Sequence, residues 1–161
     1  MSGAGTPATL ALAQAGVTFA VHEYAHDLAI TDFGREAVRI LGLDPWQVFK
    51  TLIVDTGVGR PNLACAVVPV AAMLDLKSMA RALGVKKVDL APPRTAELSS
   101  GYVVGGISPI AQKTPLPTII DETAQLFDTI FVSGGRRGLD IELSAADLAR
   151  IINASFADIA R

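Results

Sequence analysis

Residues 48–70 read VFKTLIVDTGVGRPNLACAVVPV, and this stretch decides the fold class. Its two halves, VFKTLIVD and NLACAVVPV, are apolar runs rich in β-branched residues, which is how largely buried strands read. The TGVGRP between them has the glycine and proline chemistry of a turn. Together they predict a β-hairpin with a long loop.

Helical and strand-like segments flank the hairpin on both sides. Upstream, TPATLALAQAG predicts a short helix, with Thr6 as its cap, Pro7 in the first turn and Gly16 at its end. VTFAVHEY predicts a strand. TDFGREAVRILGL predicts a second helix, opened by Thr31 or Asp32 and closed by Gly42, and Asp44-Pro45 opens a short helical turn. Downstream, DLKSMARALG predicts an amphipathic helix capped by Asp75, with Leu76, Met79, Ala80 and Leu83 on one face. KKVDLA predicts a short strand and PPRTAELSSG a helix begun by prolines. GGISPIAQKTPLP is too rich in Gly and Pro for a regular element. TIIDE, TIFVSGG and LDIELS predict strands. SAADLARIIN predicts a last helix, with Ser144 and Asp147 spaced as a capping box. Strands and helices mix without strict βαβ alternation, so the expectation is an α+β domain around a mixed or largely antiparallel sheet. No repeat or linker interrupts it, and one domain over residues 1–161 is expected.

Composition narrows the function classes. The chain has 161 residues, half of them hydrophobic, and a net charge of −2. A real core is affordable at this length and disorder is excluded as a main theme. The charge gives no sign of a strongly basic nucleic-acid binder, although a local basic patch is hidden in such a total. A single cysteine, Cys65, rules out an internal disulfide and a Cys-rich zinc site, and its mid-strand place in LACAV predicts a buried structural thiol. No apolar run reaches the roughly 20 residues of a membrane span, and the start MSGAGTPATLALAQAG lacks the basic opening of a signal peptide. A cytoplasmic protein is expected.

HEYAH, residues 22–26, spells H-E-x-x-H, which on a helix sets two imidazoles around zinc. Here it follows strand-like VTFAV. Extended residues put His22 and His26 about 13 Å apart at ~3.3 Å per residue, too far to share a metal. These are the only two histidines, and no third ligand stands in a recognisable place. The expectation is a strand end carrying polar residues toward solvent.

Three other places carry candidate chemistry. Lys50 shares a strand face with Val48, Leu52 and Val54. It either reaches out to water or serves as a cation for phosphate or a polarised carbonyl. In VVGGISP, Gly105 and Gly106 permit unusual torsions and close approach to a ligand, and Ser108 precedes a proline. The alternative is an ordinary tight loop. VSGGRRGLDIEL predicts a hairpin tip, neither a Walker A loop nor a dinucleotide fingerprint. Ser133 and Asp140 flank one pocket in this reading, and Arg136 and Arg137 either touch phosphate or form a solvated surface. Spacing suggests no Ser-His-Asp triad.

Y-x-H at 24, FG at 33, FKTLIV at 49, GGISP at 105, LPTIID at 116 and VSGGRRGLDIEL at 132 occur in an order that resembles the YbaK/EbsC family. These are bacterial Cys-tRNA(Pro) deacylases, related to the editing domain inserted in bacterial prolyl-tRNA synthetases. The resemblance runs from about Pro7 to residue 161. It implies a mixed, mainly antiparallel sheet curled into a partly open barrel with surrounding helices. It also implies removal, in trans, of cysteine mischarged onto proline tRNA. Lys50 matches the family's essential lysine. Tyr24, Phe33, Thr51, Ser133 and Asp140 match pocket residues, and Gly105, Gly106, Ile107, Ser108 and Pro109 match the loop that binds the end of the aminoacyl-tRNA. The resemblance implies no metal, no cofactor and no protein nucleophile: the thiol of the attached cysteine attacks its own ester, and a thiolactone leaves. The implied partners are the acceptor end of tRNA(Pro) and, transiently, prolyl-tRNA synthetase, with no membrane or DNA. The run QKTPLPT departs from the basic residues expected there, which implies weaker phosphate attraction and hence weaker tRNA binding, with the chemistry unchanged. Two other readings stay open: a deacylase for another small amino acid such as alanine, and a non-catalytic tRNA- or synthetase-binding module.

Overall fold

In the computed structural model, which describes residues 5–161, β2 (Phe49–Asp55) and β3 (Leu63–Pro69) form the expected antiparallel hairpin, in register from Phe49–Pro69 to Asp55–Leu63. Asp55 closes the long loop: its Oδ1 accepts from the Gly57 N–H (2.8 Å) and the Asn62 amide (3.0 Å). Every residue of β3 is buried, because the strand lies inside a five-stranded sheet covered on both faces. Leu63, Cys65 and Val67 point into one core cluster, while Ala64, Ala66 and Val68 point into another. The period of two thus explains the continuous apolar run.

The remaining elements follow the sequence reading closely. They are α1 (Pro7–Gln14), β1 (Ala20–Glu23), α2 (Phe33–Leu41), α3 (Leu76–Leu83), β4 (Asp89–Leu90), α4 (Pro93–Ser100), β5 (Thr118–Asp121), β6 (Ile130–Arg136), β7 (Leu139–Leu143) and α5 (Ala145–Ile152). Caps fall where the residue types predict them. Thr6 forms a capping box with Thr9, Asp32 and Asp75 cap α2 and α3, and Gly42 and Gly84 close those helices in the left-handed conformation. Ser144 caps α5 by accepting from the Asp147 N–H. Sequence reading missed a 3-10 turn at Glu122–Leu126 and a last strand, β8 (Ser155–Ala157).

The strand order in the larger sheet is β4-β2-β3-β5-β8, and in the smaller one β1-β7-β6. The β3–β5 and β5–β8 pairs are parallel and the other four are antiparallel. The fold is α+β with mixed sheets. A parallel bridge between Val48 and Phe131 ties the two sheets together. No helix among the described residues is long and apolar enough to cross a membrane.

Candidate functional site

The site begins at a gap in the edge of β2. The Ala91 N–H bonds to the Ile53 carbonyl, and the Phe131 N–H to the Gln47 carbonyl. In an antiparallel ladder the main-chain groups alternate sides. Thr51 therefore points its N–H and C=O the same way as Ile53, away from β3. β4 pairs only with Val54 and Asp55, and β6 reaches only as far as the Val48 bridge. Thr51 lies between them, facing a cavity of about 530 Å3. Its hydroxyl is buried and has no hydrogen-bond partner among the described residues, a state that normally calls for an explanation.

Eight of the anticipated residues line this cavity: Tyr24, Phe33, Lys50, Thr51, Gly105, Ile107, Ser133 and Asp140. Three do not. Gly106 and Pro109 are buried behind it, and Ser108 is fully buried, with its Oγ accepting from the Ile110 N–H. The Gly106 N–H bonds to the Val103 carbonyl (2.8 Å). A side chain on Gly106 would meet the Arg136 backbone at 2.7 Å, so this glycine seats the loop against the β6–β7 hairpin. The Tyr102 hydroxyl donates to the Ile110 carbonyl (2.6 Å) and holds the far end of the loop.

Ser133 and Asp140 are cross-strand partners on β6 and β7. Burial pushes the Asp140 carboxyl up to about 7, against an opposing pull from His22. The Tyr24 hydroxyl is pushed up to about 12 by burial, with help from Asp140 and Glu36, so it stays protonated and is available as a donor. Lys50 is half-buried. Burial holds its pKa below the ordinary lysine value, Arg35 adds to the effect and Asp32 opposes it. Cys65 is fully buried, and its thiol is pushed up to about 12 by burial despite contacts from Thr118 and Gln112.

HEYAH ends β1 as expected and leaves Glu23 exposed, but its two histidines are paired with carboxylates rather than simply turned to solvent, which corrects that part of the sequence expectation. His22 Nε2 lies 2.9 Å from Glu142 Oε1, and His26 Nδ1 lies 2.6 Å from Glu36 Oε1. The Asp27 N–H also donates to Glu36 (2.8 Å). Glu36 is 2% exposed, and its pKa is lowered: burial opposes ionisation, but the Asp27 N–H and His26 outweigh it. The residues before and after Tyr24 are thus strapped to β7 and α2, and Tyr24 between them faces the cavity. Among the described residues no group of three His, Cys, Asp or Glu side chains is placed to hold a metal ion.

Sequence reasoning missed Glu36 and the lining from Thr31, Asp32, Ala91, Pro93 and Ala96. It also missed the role of Arg137, whose guanidinium carbon sits 4.8 Å over the Phe33 ring while Nε donates to the Val104 carbonyl (2.8 Å). That side chain ties the hairpin tip to both walls of the cavity mouth. Arg136 pairs with Glu23 at 3.1 Å. A hairpin arginine within reach of an aromatic is no local signal, since the contact spans more than a hundred residues of sequence.

Comparison with known proteins bears on the family and the fold. The sequence model of the aminoacyl-tRNA editing domain matches residues 30–151. A protein of Enterococcus faecalis provisionally named Cys-tRNA(Pro)/Cys-tRNA(Cys) deacylase EbsC is 40% identical over 119 residues, covering 74% of this chain and 71% of that protein. The crystal structure of hypothetical protein APE2540 superposes with a TM-score of 0.81 at 26% identity, over 93% of this chain and 96% of that one. A crystal structure provisionally assigned as a trans-editing enzyme for prolyl-tRNA synthetase superposes with a TM-score of 0.84, over 100% of this chain and 99% of that one. At 23% identity, the last likeness bears on the fold alone.

Proposed function

The chain belongs to the aminoacyl-tRNA editing domain family, and on that premise we propose that it is a deacylase that clears cysteine mischarged onto proline tRNA, in trans. The observation that carries the reading is the cavity at Thr51. It gathers Lys50, Ser133 and Asp140 around main-chain groups and a hydroxyl that have room for a ligand. The substrate class comes from the name borne by the Enterococcus relative.

In this reading the aminoacyl end enters with its amine toward Asp140, Ser133 and the Thr51 carbonyl. Tyr24 and Phe33 wall the side-chain space, and the Gly105–Pro109 loop supports the terminal adenosine, with Gly105 and Ile107 in contact. This reading needs no activated nucleophile from the described residues: Cys65 is buried with a raised pKa, and His22 is committed to Glu142. The substrate's own thiol does the work. Its sulfur attacks the ester carbonyl carbon, the carbon–oxygen bond to the ribose breaks, and the thiol proton ends on the ribose oxygen. A thiolactone leaves, to be hydrolysed by water. The protein contributes orientation and charge, with Lys50 beside the phosphate or the developing oxyanion. The two sheets, bridged at Val48–Phe131, then form the walls of a partly open barrel. The acceptor end of tRNA(Pro) is the partner, prolyl-tRNA synthetase a transient one, and the cytoplasm the setting.

The deciding experiment assays wild type and Lys50→Ala on Cys-, Ala- and Pro-tRNA(Pro). Rapid loss of cysteine alone, abolished by Lys50→Ala, is expected. Preference for alanine would move the specificity, no activity on any of the three would leave a binding module, and full activity in Lys50→Ala would sink the central residue assignment.

A further inference from the structure

A second cavity, of about 590 Å3, adjoins the first. The two share Lys50, Leu52 and Leu90 on a common rim. Past that rim the second cavity is lined by Met73, Asp75, Lys77 and Arg161. Its apolar floor is open to water, with Met73 59% and Leu90 58% exposed. Its charges are unbalanced. Among its lining side chains Lys50, Lys77 and Arg161 are cationic and Asp75 alone is a carboxylate, and the Asp75 Oδ1 already accepts from the Lys77 and Ser78 N–H groups (3.1 and 3.2 Å). Arg161 is fixed at the backbone, where its C=O and N–H exchange hydrogen bonds with Met73 (3.0 and 2.8 Å).

An open apolar floor beside a cationic rim matches one kind of ligand well. Single-stranded polynucleotide has flat apolar bases joined by anionic phosphates, and proteins hold it with apolar platforms under the bases and Lys or Arg along the backbone. The cavity volume lies within the ~300–1,000 Å3 of small-molecule sites, which suits one nucleotide. The local excess of cations stands against a chain of net charge −2, so it is not a by-product of composition. It also continues directly from the candidate site.

We propose that the second cavity seats the nucleotide that precedes the terminal aminoacyl-adenosine. Lys50 lies under the phosphate between the two, Met73 and Leu90 lie under the preceding base, and Lys77 and Arg161 meet its own phosphate. This rests on the deacylase reading above and adds to it the path of the tRNA 3′ end. It also gives Lys50 a place at the junction of two subsites, and it adds positive charge beyond the single lysine of QKTPLPT.

The test compares wild type with the double variant Lys77→Ala/Arg161→Ala on cysteinyl-tRNA(Pro) and on 3′-O-cysteinyl-adenosine, which has no preceding nucleotide. On the tRNA, KM is expected to rise about tenfold with kcat little altered, and the dependence of log kcat/KM on log salt to become shallower by about one. The loss on tRNA should exceed the loss on the adenosine ester several-fold. Equal losses on both, or no loss on tRNA, overturn the subsite. Weaker capture of prolyl-tRNA synthetase with tRNA kinetics intact makes this face a protein-docking surface and overturns it too. Both side chains are exposed, and alanine keeps the Arg161 backbone bonds, so the fold should survive. If wild type leaves every aminoacyl-tRNA intact, the deacylase reading fails by itself. Titration of the ribodinucleotide CpA onto wild type and variant then still decides the subsite: binding lost in the variant supports it, and no binding to wild type removes it.

Discussion

The ring of Phe33 stands where a side chain on Gly105 would have to go. A Cβ built on Gly105 would come within 2.7–2.8 Å of three ring carbons, and the residue holds φ +88°. Gly105→Ala therefore meets both backbone strain and a steric clash. It should lower stability by about 1–3 kcal/mol and reduce kcat/KM, because Phe33 must leave the cavity wall. Pairing it with Phe33→Ala should recover the steric part and leave the strain. Urea unfolding of both single variants and the double variant measures the coupling. Simple additivity would mean the ring and the loop do not press on each other.

Much of this wall was legible in sequence, and what was not has physical causes. Lys50 stood out because a lysine on an apolar strand face is a local anomaly. The Ser133–Asp140 pair followed from a hairpin tip whose turn residues are explicit. Glu36 gave no signal: in FGREAVRIL it reads as one more helix-surface charge, and only the fold of residues 24–27 over α2 buries it. The parallel β3–β5 pairing was equally hidden, because it depends on the irregular run 101–117 delivering Pro117 to the Cys65 N–H. Local pattern predicts elements, whereas these contacts are set by long-range closure. The loop also misled in part. GGISP suggested a loop that approaches a ligand closely at both glycines, yet the Gly106 N–H bonds within a turn and Ser108 turns inward.

Glu36 should matter more to stability than its place on a helix suggests. Glu36→Ala leaves His26 and the Asp27 N–H without their buried acceptor, at a cost on the order of 3 kcal/mol. The folded pKa of Glu36 is depressed. Its contribution is thus complete above the unfolded carboxyl value of about 4.3 and is lost as pH falls through the lower folded value. The gap between wild type and variant in denaturant melts should be full at pH 7 and narrow in acid. A gap that stayed constant down to pH 2 would show that the carboxylate charge is not what holds the loop. KM should rise as well, since Phe33 sits one turn earlier on α2.

Cys65 should be silent in the native protein. Its thiol is fully buried and pushed up to about 12, and the reactive species in alkylation is the thiolate. Iodoacetamide at pH 8 should leave the folded chain unmodified for hours and label it fully in urea, as read by mass spectrometry. Cys65→Ala should keep deacylation and cost only the small cavity left by sulfur, about 1 kcal/mol. Inactivation that tracks alkylation of the native chain would instead put a protein thiol in the chemistry.

Asp140 should impose two pH dependences that can be separated. Its folded pKa is raised from 3.8 to about 7, mainly by burial. A raised carboxyl favours the fold below the unfolded value and loses that advantage as pH climbs through the folded one. Wild type therefore weakens between about pH 4 and pH 7 and levels off above. A rise of that size corresponds to as much as about 4 kcal/mol. Asp140→Asn removes the penalty, so the variant should gain on wild type across that range and hold its lead at pH 8. Activity should respond in the other direction. If the carboxylate orients the substrate amine, kcat/KM in wild type climbs through pH 7 and again near 8.5, where a free thiol ionises. In Asp140→Asn the lower inflection should vanish, the upper one should remain, and kcat/KM should fall at least tenfold at pH 8. An inflection near 7 that persists in the variant would belong to another group, and would take Asp140 out of the substrate's first contacts.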